Sequence, residues 1–372
     1  MKEKIVTLFL IFCLSPSLVQ AQFEVERPYW FVLERGKQYF RDGAYGSALI
    51  AFEDARNQRR AMYTRMEQDM IALLSITEVR RLGDNLDLVE RYIAERGQIN
   101  AARALEELYY RVPRETLANS ARRTLEKFDH LKAYPEAEYW IGETYRAEGE
   151  LGIALKQFQK AYEEREFLES PGLAVEFLYK IADIHRLRQE YPSMERNLLE
   201  ILKQDALWSQ DSGSFIRSAI TGTVENDGVD QFLTLYRYNN SATLRAHRLL
   251  GFYYGASGRH NRAAEHLIFA FLIQNSIFID EIIRSQYDYT FTTLNVLLDE
   301  VIRRPALAVY FGETEYYKIL YSLGAAFFGS GKLNAARQFW NVCAGRQDAG
   351  EWRVRSQAQL RNPFVEQAVE LP

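Results

Sequence analysis

The stretch "IGETYRAEGELGIALKQFQKAY", Ile141 to Tyr162, decides how this chain reads. It is built from helix formers, yet it carries Gly142 and Gly149. A glycine inside a helix costs roughly 1 kcal/mol against alanine, so something has to offset it. With Gly149 as origin, Gly142 stands at −7, Tyr145 at −4, Leu151 at +2, Ala154 at +5, Phe158 at +9 and Ala161 at +12. The same offsets recur around Gly43 (Gly36, Tyr39, Tyr45, Ala48, Phe52, Ala55). They recur around Gly258 (Gly251, Tyr254, His260, Ala263, Leu267, Ala270) and Gly331 (Gly324, Phe327, Leu333, Ala336, Trp340, Cys343). A further copy centres on Gln189, where the turn glycine is lost but Ala182, His185, Tyr191, Met194, Leu198 and Ile201 keep the size pattern. Around Gly97 only Ile93, Ile99 and Ala102 fit, with Glu106 in place of the aromatic.

Each copy reads as two antiparallel helices joined by a tight turn. The origin glycine ends the first helix in a left-handed conformation. The glycine at −7 and the alanine at +5 lack bulk, so the helices are expected to approach until a backbone lies against the glycine. The large residues at −4 and +9 are expected to fill the space between neighbouring units.

The pattern resembles the tetratricopeptide repeat, whose W-L-G-Y first half and A-F-A second half span 34 residues. "LLGFYY", "SLGAAFF" and "YWIGETY" match the first half; "RAAEHLIFA", "NAARQFWNVCA" and "GIALKQFQKA" match the second. The sequence departs at the Trp position, which holds Val32, Glu138, Leu178, His247 and Leu320, at Arg35, and at the closing Pro. Origins at 43, 97, 149, 189, 258 and 331 are further apart than a tandem array allows, so extra helices are expected between units. Residues 58–82, 113–131 and 278–304 have the apolar spacing for them. The resemblance implies an all-α, right-handed superhelical solenoid of helical hairpins. Residues 28–204 would form a first array, 205–239 connecting helices with a hinge, 240–346 a second array and 347–372 a capping helix.

The first residues read differently. Lys2 and Lys4, an apolar run of about 15 residues and the small residues Val19 and Ala21 form the pattern of a signal peptide over 1–21, too short to span a bilayer. Phe12 before Cys13 argues against lipidation. Loss of that leader takes the net charge from −4 to −5, which offers nothing to nucleic acid. Doublets such as Arg59–Arg60, Arg80–Arg81, Arg122–Arg123 and Arg303–Arg304 are interleaved with acids and read as solvated faces. Beyond the leader the longest unbroken apolar run is "LIFAFLI", 267–273, so no membrane span is expected there. A periplasmic location follows.

Catalytic and metal chemistry finds no motif. The five histidines lack zinc-ligand spacing and read as turn and surface residues. "GSGKL", 329–333, lacks the first glycine and the Ser/Thr of a phosphate loop. Cys343 is the one cysteine past the leader and falls at a packing position, and no cofactor is expected.

The resemblance also implies ligand contacts at −13, −10, −6, −3 and −2 from the turn. These are Trp30, Leu33, Lys37 and Phe40; Glu136, Tyr139, Glu143 and Arg146; Glu176, Tyr179, Asp183 and Arg186; Arg245, Arg248 and Phe252; Lys318, Tyr321 and Phe328. Aromatics mixed with both charges suit an extended peptide or partner helix. The expectation is a non-enzymatic interaction scaffold with a protein partner in a bacterial cell envelope. The alternative is a small-molecule or lipid-binding protein attached to a transporter.

Overall fold

A computed structural model describes residues 28–76, 131–203, 205–209 and 213–366. The leader, the Gly97 copy, most of 113–131 and the last six residues of the expected cap lie outside them. The described residues are all α, with short 3₁₀ turns and no strand. They divide into two compact units between Pro171 and Gly172.

The first unit contains α1 (Tyr29–Arg41), α2 (Tyr45–Ile76), α3 (Pro135–Ala147) and α4 (Leu151–Glu163). Helix α1 pairs with α2, and α3 with α4, and α3 packs on α2. Pro135 opens α3 where its missing N–H is harmless, Glu136 and Glu138 favour the positive end of the helix, and Arg146 favours the other. The core joins Tyr29, Leu33, Phe52, Ala55, Tyr134 and Ile141.

The second unit runs α5 (Leu173–Leu187), α6 (Tyr191–Leu202), α7 (Ala206–Ser209), α8 (Gly213–Asn226), α9 (Val229–Leu235), α10 (Ser241–Ala256), α11 (His260–Ser285), α12 (Leu294–Ile302), α13 (Pro305–Glu313), α14 (Tyr316–Gly329), α15 (Leu333–Gly345) and α16 (Glu351–Arg361). Three hairpins, α5–α6, α10–α11 and α14–α15, pack in sequence, and α16 covers α15.

All five described copies make the same turn. The origin residue is left-handed in each: Gly43, Gly149, Gly258 and Gly331 at φ 71° to 87°, and Gln189 at 59°. The next residue's N–H reaches the carbonyl at −4: Ala44 to Tyr39 (2.9 Å), Glu150 to Tyr145 (2.8 Å), Glu190 to His185 (2.8 Å), Arg259 to Tyr254 (2.8 Å) and Lys332 to Phe327 (2.9 Å). This six-to-one bond is the Schellman closure of a helix. Gln189 holds it without a glycine, against the steric preference of an L-residue. Gln189→Gly is therefore expected to stabilise the second unit by about 0.5–1 kcal/mol, read as a higher urea midpoint; an unchanged or lower midpoint would refute the strain.

The glycine at −7 faces a side chain first, with a backbone atom among the nearest only at Gly251, where Leu267 N stands 3.3 Å from a Cβ. A Cβ on Gly36 would stand 2.5 Å from the Phe52 ring, on Gly142 2.9 Å from Phe158, on Gly251 2.5 Å from Leu267 and on Gly324 2.5 Å from Trp340. The expectation that the +9 residue fills the space between units is corrected: it lies first over the glycine of its own hairpin. Phe52 also stacks on Trp140 of the next described hairpin, with centroids 5.9 Å apart.

Other expectations change as well. The array 28–204 divides, because α5–α6 belongs to the second unit: Tyr191 stacks on Tyr253 (5.8 Å), and Tyr254 donates to Glu195 (2.7 Å). The described parts of 205–239 are built into the unit rather than hinge-like, while 210–212 of the expected hinge lie outside the described residues. Trp208 packs on His247 and His266, and the Val229 N–H donates to Gln338 Oε1 (3.0 Å). Helix α2 runs unbroken for 32 residues, so 58–76 is its continuation and not a separate helix. The expected helix 278–304 breaks at 286–293, where Thr293 Oγ1 accepts from the Val296 N–H (3.4 Å) and starts α12 anew. Helix α11 is long and apolar enough to cross a membrane; 78% of its apolar window is buried inside the fold.

Candidate partner-binding clefts

Each unit has a cleft lined by the first helices of its hairpins. In the first unit α1 supplies Trp30, Leu33 and Lys37, and Tyr134 and Glu136 come from the start of α3; the cleft holds about 490 Å³. In the second unit α5 supplies Glu176 and Tyr179, and α10 supplies Arg245 and Arg248, with Tyr310 and Glu313 closing a cleft of about 380 Å³. Four expected contact positions meet in each.

The expected positions, those in the clefts included, divide by burial. Tyr139, Glu143, Tyr179, Phe252 and Tyr321 are buried, which corrects their reading as open groove wall. Tyr139 packs on Phe158 (5.6 Å) and Trp140 (5.5 Å). The Tyr179 hydroxyl donates to Ala242 O (2.6 Å) and accepts from the Ala246 N–H (3.0 Å), two groups that a helix ordinarily pairs with each other. Burial pushes its pKa well up. Phe252 lies under the Lys318 ammonium (4.8 Å). Tyr321 is covered by the C-terminal segment: its hydroxyl donates to Glu366 Oε2 (2.7 Å), with Trp352 against the ring.

The half-buried positions are engaged in pairs. Arg146 donates twice to Glu143 (2.9 and 3.1 Å), and Arg245 pairs with Asp183, with Arg186 3.8 Å from that carboxylate. Phe40 meets the edge of Trp140 (5.5 Å), and Phe328 leans on Trp340 (5.8 Å). Arg248 bonds Glu315 (3.3 Å) while its Nε has no hydrogen-bond partner, and desolvation lowers its pKa.

Two buried polar groups escaped sequence reasoning. Arg59, assigned to a solvated doublet, is fully buried: its guanidinium lies over Tyr134 (4.6 Å), Tyr29 (5.5 Å) and Tyr63 (5.6 Å) and donates to Leu131 O (3.3 Å). It falls on the helical stripe Phe52, Ala55, Tyr63, a spacing that could have marked it. His247 and His266, read as surface residues, are buried with their Nδ1 atoms 3.2 Å apart, and Asp205 lies 4.0 Å from His247 Nε2. Asp205 is itself held by Tyr238, by Thr243 (3.2 Å) and by the Leu207 N–H (2.9 Å). His247 occupies the Trp position of its repeat, which was the available signal.

No family model matches the chain. An uncharacterized protein of Treponema pallidum is 22% identical over 333 residues, covering 89% of each chain. An uncharacterized protein of Borreliella burgdorferi is 21% identical over 252 residues, covering 62% of this chain and 78% of that one.

Proposed function

We propose that the protein is a non-enzymatic scaffold of the bacterial cell envelope, built of tetratricopeptide-like hairpins that stack as a solenoid within each unit. Its clefts bind an extended peptide or a helix of a partner protein. The observation that carries this is the gathering of expected contact positions from successive first helices, Trp30, Leu33, Lys37 and Glu136 in one cleft and Glu176, Tyr179, Arg245 and Arg248 in the other. Exposed aromatic and basic side chains beside apolar walls are the usual anchors of a polypeptide ligand. The leader-like residues 1–21 support export to the periplasm. The clefts are as large as a small-ligand pocket, but their charged lining is less suited to a lipid.

The test is crosslinked capture from the native envelope, with the whole chain beside a Trp30→Ala/Lys37→Ala/Arg245→Ala variant. These side chains are not fully buried, so the variant is expected to fold with unchanged helical circular dichroism. A protein recovered with the first chain and reduced at least about tenfold with the second supports the scaffold. Equal recovery by both, or a small molecule retained in native mass spectrometry in place of any protein, refutes it.

A further inference from the structure

We propose that the cleft of the first unit receives a cationic side chain, an arginine or lysine of the partner polypeptide, between the Glu136 carboxylate and the face of Trp30. The inference rests on the partner-binding reading of that cleft and adds the chemistry of the residue it selects.

Glu136 lines the cleft and is only 8% exposed. Its Oε1 accepts the Glu169 N–H at 2.6 Å, while its Oε2 is buried with no hydrogen-bond partner. A buried carboxylate oxygen without a donor is costly to leave so. Arg59 does not supply the donor. Its hydrogen bonds go to Leu131 O and to Glu169 Oε1 (3.4 Å), and its flat faces go to the tyrosines. No described residue donates to Oε2; Arg59, whose charge acts on Glu136, leaves its own Nη2 without a hydrogen-bond partner.

Charge then narrows what can bring a donor. The cleft presents Glu34, Glu136 and Glu169 against Lys37, and the Lys37 ammonium is held by Glu34 at 2.6 Å. An anionic ligand would meet three carboxylates. An apolar one would leave Glu136 Oε2 unpaired. A cation satisfies it and gains the ring face of Trp30, which is 53% exposed at the cleft. The unit already uses this chemistry once, in the tyrosine cage around Arg59. Burial raises the Glu136 pKa, and an entering cation would favour its charged form again.

The experiment is selection of a random-sequence twelve-residue peptide display library on the full chain, on Glu136→Gln and on Trp30→Ala. Selected peptides are expected to carry Arg or Lys at one fixed position. Changing that residue to Gln in a synthetic peptide should weaken binding about tenfold or more to the parent chain, and less than about twofold to Glu136→Gln. Peptides that bind with no basic preference, or whose preference survives in both variants, overturn the cation site and leave the scaffold reading standing. Failure to select any peptide overturns both. Should Glu136→Gln fail to fold, Trp30→Ala decides: loss of the basic preference supports the site and its retention overturns it.

Discussion

Gly324→Leu is expected to destabilise the second unit by about 3 kcal/mol or more, and to melt it well below the parent in a thermal scan. A Cβ alone would stand 2.5 Å from Trp340 Nε1 and 2.7 Å from Cδ1, inside contact distance. The indole has nowhere to move: it is fully buried and its Nε1–H donates to Tyr321 O (3.3 Å). The copy centred on Gln189 carries the natural remedy, Ala182 opposite Leu198, both buried. Gly324→Ala combined with Trp340→Leu should accordingly be more stable than the sum of the two single changes. A double-mutant cycle measures this; strict additivity would mean that the two positions do not share one volume.

The second large effect is loss of stability in mild acid. Burial holds His247 at a pKa of about 3, with Asp205 acting weakly in the other direction. His266 is held well below its ordinary value by burial, then by His247, Arg217 and Arg262. Both are neutral in the folded protein, whereas an unfolded histidine takes a proton near pH 6.5. The unfolded chain therefore binds more protons as pH falls from about 6.5 towards 3, and the folded state loses ground throughout that window. Each histidine contributes about 1.4 kcal/mol per pH unit, so the pair should remove about 4 kcal/mol between pH 7.5 and pH 5. Glu136 and Glu164, whose carboxyls burial raises, act in the opposite sense. The informative quantity is thus the difference between the parent and His247→Gln/His266→Gln in urea unfolding at the two pH values. The variant should show the flatter dependence. Parallel curves would mean that the pair titrates in the folded protein as it does in the unfolded chain.

What could be read in advance was local. The turn and its spacing follow from the backbone needs of a few residues: a left-handed origin, a small residue at −7 and a large one at +9. Even the copy without glycine at Gln189 was legible, because size survives where the turn residue does not. What could not be read depends on neighbours distant in sequence. Arg59 looks solvated until Tyr29, Tyr134 and Leu131 close around it. Glu138 stands at a core position only because Arg56 (3.2 Å) and Lys160 reach it from two other helices. Tyr179 and Tyr321 have the spacing of a groove wall, but α10 and the Glu366 segment lie over them. The two clefts were legible in part: the offsets named four residues of each, and Glu169, Tyr310 and Glu313, which complete them, lie on connections that carry no repeat offset.

The glycine and the large residue that covers it stand sixteen positions apart in every described hairpin: 36 and 52, 142 and 158, 182 and 198, 251 and 267, 324 and 340. Neither residue is fixed on its own, since glycine can become alanine and the partner ranges from leucine to tryptophan. What the hairpin keeps is the contrast: a residue with little or no side chain at the first position and a large apolar one at the second. Bulk added at the first should therefore be met by a smaller residue at the second, as alanine meets leucine at 182 and 198. In relatives too diverged for their glycines to align, that contrast at the same separation would still mark where each pair of helices turns back on itself.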